Sequence, residues 1–181
     1  EAVVGGVGRD TLEAELEARI RHDDDGYIDN SRVVFDQSLL ELVAPVAGES
    51  FDFETPDVVL TAATDGITLA AAMAAHFGAT VAYAKKSKET AVEEFIESRQ
   101  RLDSGIELTY YLPARAIDAG DSVLVVDDLI RSGETQELLL DITERAGADV
   151  SGVFALIAAG EEGIDRAKTR VDAPVGALTT L

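Results

Sequence analysis

The chain of 181 residues has no cysteine and no tryptophan, four prolines, one methionine and two histidines. Without thiols it can form neither disulfides nor thiolate metal sites. His22 and His76 stand far apart and lack the paired spacing of a zinc centre, so both are read as structural residues. No apolar run approaches the roughly 18 residues needed to span a bilayer, and no secretory pattern opens the chain. The cytoplasm is the expected location, with no membrane partner. Positive charge is scarce: 15 Lys and Arg oppose 35 Asp and Glu, for a formal charge of −20. Such a surface argues against nucleic-acid binding by this chain itself. Disorder does not account for the charge, because 46% of the residues are hydrophobic, enough for one well-cored α/β domain. A salt-rich cytoplasm does account for it, since dense carboxylates keep a protein soluble while salt screens their repulsion. A halophilic archaeal source is therefore expected.

What the chain does have is concentrated in SVLVVDDLIRSGET, Ser122 to Thr135. Val123 to Val126 form a short apolar run that reads as a buried strand, and Thr135 opens a helical pattern carrying Leu138, Leu139 and Ile142. In a strand, loop and helix unit, ligands collect beyond the carboxyl end of the strand, and free amides at the helix start attract phosphate. Gly133 lets the backbone approach an oxyanion closely, and Ser132 and Thr135 can donate hydroxyl hydrogen bonds. Asp127 and Asp128 would repel a phosphate, so they are expected to meet sugar hydroxyls or a divalent cation. The implied ligand is a phosphorylated sugar.

That stretch resembles the phosphoribosyl diphosphate (PRPP) motif of type I phosphoribosyltransferases. The resemblance implies that Asp127 and Asp128 face the ribose hydroxyls, with magnesium accompanying PRPP, and that Arg131, Ser132, Gly133, Glu134 and Thr135 wrap the 5-phosphate. Arg131 departs from the pattern, which places a small residue there.

The remaining periodicity predicts a helix from Arg9 to Arg21, an acidic turn over Asp23 to Gly26, and a helix from Ser38 to Val46. Strand Val58 to Thr61, helix Ile67 to Phe77 and strand Thr80 to Ala84 follow, then a long polar excursion from Lys85 to Ser104. A strand-like Ile106 to Tyr111, the motif unit, a strand at Val150 to Ala158, a helical stretch at Ile164 to Lys168 and a strand near Val175 to Leu178 complete the pattern. The alternation predicts a mainly parallel sheet with helices on both faces. Residues 1–50 are expected to form a helical edge or hood, and 51–181 the phosphoribosyltransferase-like domain. The chain opens Glu1, Ala2, Val3 without an initiator Met, so residues upstream are expected.

Thr61, Ala62, Ala63, Thr64, Asp65 and Gly66 follow a buried strand and open a helix, which suits a backbone cradle for pyrophosphate. They resemble the family's pyrophosphate loop, with Asp65 an unexpected acid. Three of the four lysines, Lys85, Lys86 and Lys88, fall within four positions, a cluster suited to a polyanion. This segment resembles the loop that closes over the site in orotate-type and xanthine-type transferases. In an enzyme Lys86 or Lys88 would then meet the leaving pyrophosphate, with Lys85 and Lys86 among the pyrophosphate ligands.

Over most of its length, above all in YAKKSKETAVEEFIESRQ, SGIELTYYLP and VLVVDDLIRSGETQ, the chain also resembles the effector domain of the haloarchaeal GfcR family of sugar-catabolism regulators. The bacterial purine repressor is similar in layout and likewise carries a basic residue where Arg131 stands. This resemblance implies a homodimeric sensor of PRPP or a related sugar phosphate, reaching promoter DNA through an upstream helix-turn-helix outside this chain. The alternative is an active orotate-type or purine-type transferase.

Overall fold

A computed structural model describes residues 7–102 and 104–181; the opening Glu1 to Val3 and Asp103, at the end of the polar excursion, lie outside them. In chain order the elements are α1 (Arg9–Arg19), β1 (Arg21–His22), β2 (Ile28–Asp29), α2 (Ser31–Val34), α3 (Gln37–Phe51), β3 (Val58–Ala62), α4 (Gly66–Phe77), β4 (Thr80–Ala84), β5 (Phe95–Arg101), β6 (Glu107–Pro113), β7 (Ser122–Ile130), α5 (Glu134–Ala146), β8 (Asp149–Ala158), α6 (Glu162–Lys168) and β9 (Val175–Thr180).

The central sheet is wholly parallel, in the order β4-β3-β7-β8-β9. Both of its faces are covered, which is why its strands read as unbroken apolar runs. On β7, Leu124 and Val126 turn towards a core shared with Leu40 and Val43 of α3 and Leu69 and Met73 of α4. Val123 and Val125 turn the other way, towards Leu138, Leu139 and Ile142 of α5. Leu12 and Leu16 of α1 join the first core, so residues on both sides of position 50 pack together. Each fully buried leucine of this kind contributes about 2 kcal/mol through the apolar surface removed from water.

Two short antiparallel pairs stand outside the sheet. β1 and β2 form a small hairpin, and β5 pairs with β6 from Phe95 against Pro113 to Arg101 against Glu107. The second corrects the expected polar excursion: a strand occupies its latter half, with Ser98 buried and Phe95, Ile96 and Gln100 partly so. The hairpin continues the sheet edge, because Lys85 and Tyr111 exchange both backbone hydrogen bonds, at 2.9 and 2.8 Å. α3 also runs further than expected, from an Asp36 side chain that caps the Leu39 amide at 3.1 Å, through Pro45, to Phe51. Proline removes one amide donor from the helix, and burial of Val43, Ala44, Val46 and Ala47 around it outweighs that loss.

Candidate functional site

The carboxyl ends of β3 and β7 lie side by side, and a loop leaves each to start a helix. Within β7, Asp127 and Asp128 end the apolar run that starts at Val123, the strand continues to Ile130, and α5 begins at Glu134, one residue before the expected Thr135. Gly133 precedes it with φ of +80°, a left-handed conformation that glycine adopts without steric cost. Ser132 Oγ donates to Glu134 Oε2 at 2.9 Å. A cavity of about 270 Å³ runs along this loop from Arg131 to Gln136, walled on the far side by Leu102, Leu108 and Leu129.

The two acids differ sharply. Asp127, expected to meet sugar hydroxyls or a cation, is only 8% exposed. Its Oδ1 accepts from the Asp128 amide at 3.0 Å and its Oδ2 from Gln136 Nε2 at 2.6 Å. Burial, and next the adjacent Asp128 carboxylate, hold the Asp127 carboxyl well above its ordinary value of 3.8. Burial and the charge of Asp127 also raise the phenol of Tyr110, brought alongside by β6. Asp128 is half-buried, and its Oδ2 accepts from Asn30 Nδ2 at 2.6 Å. Asn30 comes from the N-terminal segment, and from the same segment the Tyr27 ring lies 5.7 Å from the guanidinium carbon of exposed Arg131. Nothing in the local sequence signals these contacts, which bridge 98 positions in the case of Asn30 and Asp128.

The second loop meets the buried acid of β7. Thr61 and Ala62 end β3 in the core, Ala63 is half-buried, Thr64 and Asp65 are exposed, and Gly66 is buried. A Cβ at Gly66 would fall 2.1 Å from Thr61 Oγ1 and 3.3 Å from Asp127 Oδ1, so this loop closes directly over the buried acid. Thr61 Oγ1 is itself buried without a hydrogen-bond partner among the described residues.

The lysine cluster stands at the edge of these loops. Ala63 N donates to Ala84 O at 2.9 Å, tying the second loop to the strand that leads into the lysines. Lys85 pairs with Glu89, and Lys88 pairs with Glu97 at 3.3 Å while lying 4.9 Å from the Tyr111 ring centroid. Lys86 is exposed. The structure thus sets one expected loop against Asp127 and the other after the strand that carries it, and leaves the lysines on an adjoining rim. No cluster of three or more His, Cys, Asp or Glu side chains able to hold a metal is found among the described residues.

The family model named Phosphoribosyl transferase domain matches residues 36–175, which include both loops. The chain belongs to that family. Its fold is the expected one, a mainly parallel sheet flanked by helices. A xanthine phosphoribosyltransferase of Bifidobacterium adolescentis is 28% identical over 131 residues, covering 71% of this chain and 68% of that protein. The purine biosynthesis transcriptional repressor PurR of Bacillus subtilis is 28% identical over 141 residues, covering 77% of this chain and 49% of the repressor. The chain thus spans about half the length of that relative. Among solved structures, adenine phosphoribosyltransferase from Rhodothermus marinus superposes with a TM-score of 0.81 at 26% identity, over 95% of this chain and 99% of that one.

Proposed function

We propose that this chain binds PRPP across the two loops and transfers its phosphoribosyl group to a purine-type base with release of pyrophosphate. The reading is carried by the place of the acid pair: Asp127 packs against the Thr61 to Gly66 loop, Asp128 beside it is half-buried, and β7, which holds both, leads into the second strand-to-helix loop. The loop from Arg131 to Thr135 offers hydroxyls and the start of α5 to the 5-phosphate. The loop from Thr61 to Gly66 offers backbone at the start of α4 to the diphosphate, and Lys85, Lys86 and Lys88 border that side. Asp128 keeps Oδ1 outside its bond to Asn30 and can accept from ribose hydroxyls.

In the reaction the bond from ribose C1 to the diphosphate breaks and a bond from C1 to a ring nitrogen of the base forms, with that nitrogen's proton lost to solvent. The site favours this by holding the two phosphate ends apart, which fixes C1 between them. Of the two acids expected to hold magnesium, Asp128 fits the ion, since Mg²⁺ is commonly bound by one or two carboxylates together with substrate phosphates and water. Asp127 has both oxygens engaged and supports Asp128 from behind. A bound magnesium ion would neutralise charge on the departing diphosphate.

A second reading has its own support. Exposed Arg131 against Tyr27, and the similarity to a purine repressor over 77% of this chain, favour a site used for sensing. The domain would then report PRPP or a related sugar phosphate to a DNA-binding region outside this chain, in a GfcR-type homodimeric regulator of a halophilic archaeon. Pyrophosphate release from PRPP, measured in molar KCl with magnesium against xanthine, hypoxanthine, guanine, adenine, orotate and uracil, separates the two. Turnover with one base supports transfer. PRPP binding without turnover on any base supports sensing, and absence of binding removes both.

A further inference from the structure

The anion loop is backed by α6. A Cβ on Gly133 would lie 2.9 Å from Gly163 O and 3.2 Å from Arg166 Cδ, and one on Gly163 would lie 2.3 Å from Arg131 O. The first turn of α6 is therefore pressed against the back of the loop with no space between them. From there Arg166 Nη1 donates to the Ser132 carbonyl at 3.1 Å. In a planar trans peptide the carbonyl and the following N–H point in opposite directions. Drawing the Ser132 carbonyl towards α6 thus turns the Gly133 N–H away from it, towards the side on which an anion would lie.

Arg166 is itself held. Its Nε pairs with Glu137 Oε1 at 3.2 Å, and the other Glu137 oxygen accepts from Gln100 Nε2 of β5 at 2.9 Å. Glu137 also donates its backbone amide to Gly133 O at 3.0 Å. With 22% of its side chain exposed, it sits below the loop and uses its two oxygens on two different elements. A planar guanidinium suits this arrangement, because it can meet a carboxylate and a carbonyl at once in fixed geometry.

We propose that Arg166 and Glu137 are positioning residues for the anion loop, and that Gln100 couples the β5–β6 hairpin to the loop through them. Neither charged residue touches the ligand. Arg166 orients the peptide that does, Glu137 orients Arg166, and ligand entry at the loop alters how firmly the hairpin is held. This rests on the loop binding the phosphate of a ribose 5-phosphate group, as proposed above.

The test is calorimetric titration of the full chain in molar KCl with magnesium, using ribose 5-phosphate and inorganic pyrophosphate as separate probes. Arg166→Ala is expected to weaken ribose 5-phosphate binding about tenfold or more, in line with loss of one hydrogen bond to a charged group. Pyrophosphate binding should stay within about twofold, whereas general destabilisation would weaken both. Arg166→Lys should recover part of the loss, since a single ammonium cannot reproduce the fork. Hydrogen exchange across residues 95–113 should slow on adding ribose 5-phosphate to the wild type and slow less in Glu137→Gln. If Arg166→Ala unfolds the chain, Arg166→Lys and Glu137→Gln carry the same measurements. Equal loss for both probes, or unchanged ribose 5-phosphate affinity in these variants, overturns the inference. Failure of the wild type to bind ribose 5-phosphate or PRPP overturns instead the functional reading beneath it.

Discussion

The two loops at the carboxyl end of the sheet occupy the same place in the fold, yet they are held in opposite ways. The Arg131 to Thr135 loop is braced from behind by α6, an element that follows it in the chain and lies away from the acids. The Thr61 to Gly66 loop is braced by the site itself, with Gly66 pressed between Thr61 and Asp127. Damage to the first should therefore arise from a distance and spare its neighbour. Damage to the second should spread at once to the acid pair.

The largest effect that would sharpen this contrast is expected from Gly163→Ala, whose added methyl meets backbone and the Ile130 side chain, at 2.3 and 2.4 Å. Displacing α6 should cost about 3 kcal/mol, the upper range for forced overpacking, and should lower ribose 5-phosphate affinity far more than pyrophosphate affinity. Thermal melts and calorimetry on the same samples check both parts. Gly66→Ala should cost about 2 kcal/mol and weaken both ligands together. Because the crowded atom is the Thr61 hydroxyl, adding Thr61→Ala should return most of the lost stability. Normal pyrophosphate binding by Gly66→Ala would mean that this loop is not braced through the acid pair.

Smaller effects separate the acids. Asp128→Asn should leave the melting temperature nearly unchanged and reduce PRPP affinity at least tenfold, the scale of a hydrogen bond to a charged group. Asp127→Asn should behave in the reverse sense. The folded state holds the Asp127 proton more tightly than the unfolded chain, so wild-type stability contributed by this group declines as pH rises from about 3.8 through the raised folded value. An asparagine escapes that decline, and a turned Gln136 amide can accept from its NH₂. The variant's melting temperature should gain on the wild type across that window and hold its lead above it. A constant difference between the two melting curves at every pH would contradict the assignment. The least effect belongs to Lys88→Ala. Its pair with Glu97 is exposed on both sides, and its loss should change stability by no more than about 0.5 kcal/mol.

How much of this could be read from residues alone depended on how far the partners lie apart. Strands buried on both faces declare themselves, as Val123 to Val126 did, and glycine with hydroxyls after paired acids marked the loop. β5 escaped notice because its inward face carries Ser98 and Gln100, polar side chains whose partners on α5 lie far along the chain. α3 was expected to end at Val46 and instead runs on to Phe51, one turn beyond its last stretch of buried apolar residues. Tyr27, Asn30, Glu137 and Arg166 gave no sign of their place in the site, since each reaches it through folding and none belongs to a local pattern. The burial of Asp127 was hidden for the same reason: Gln136 and Gly66, which enclose it, come from two different helices.

The pairing of β3 with β7 carries a kinetic consequence. Leu60 lies against Val125, and the chain between them contains α4, β4 and the whole β5–β6 hairpin. Closing so long a stretch must precede any contact between the Thr61 to Gly66 loop and Asp127, and parallel pairing of distant strands is slow for that reason. The hairpin and the helices can form from near neighbours. The acid pair and its two loops come together only when those finished pieces dock, so ligand-binding capacity should return on refolding later than helix content.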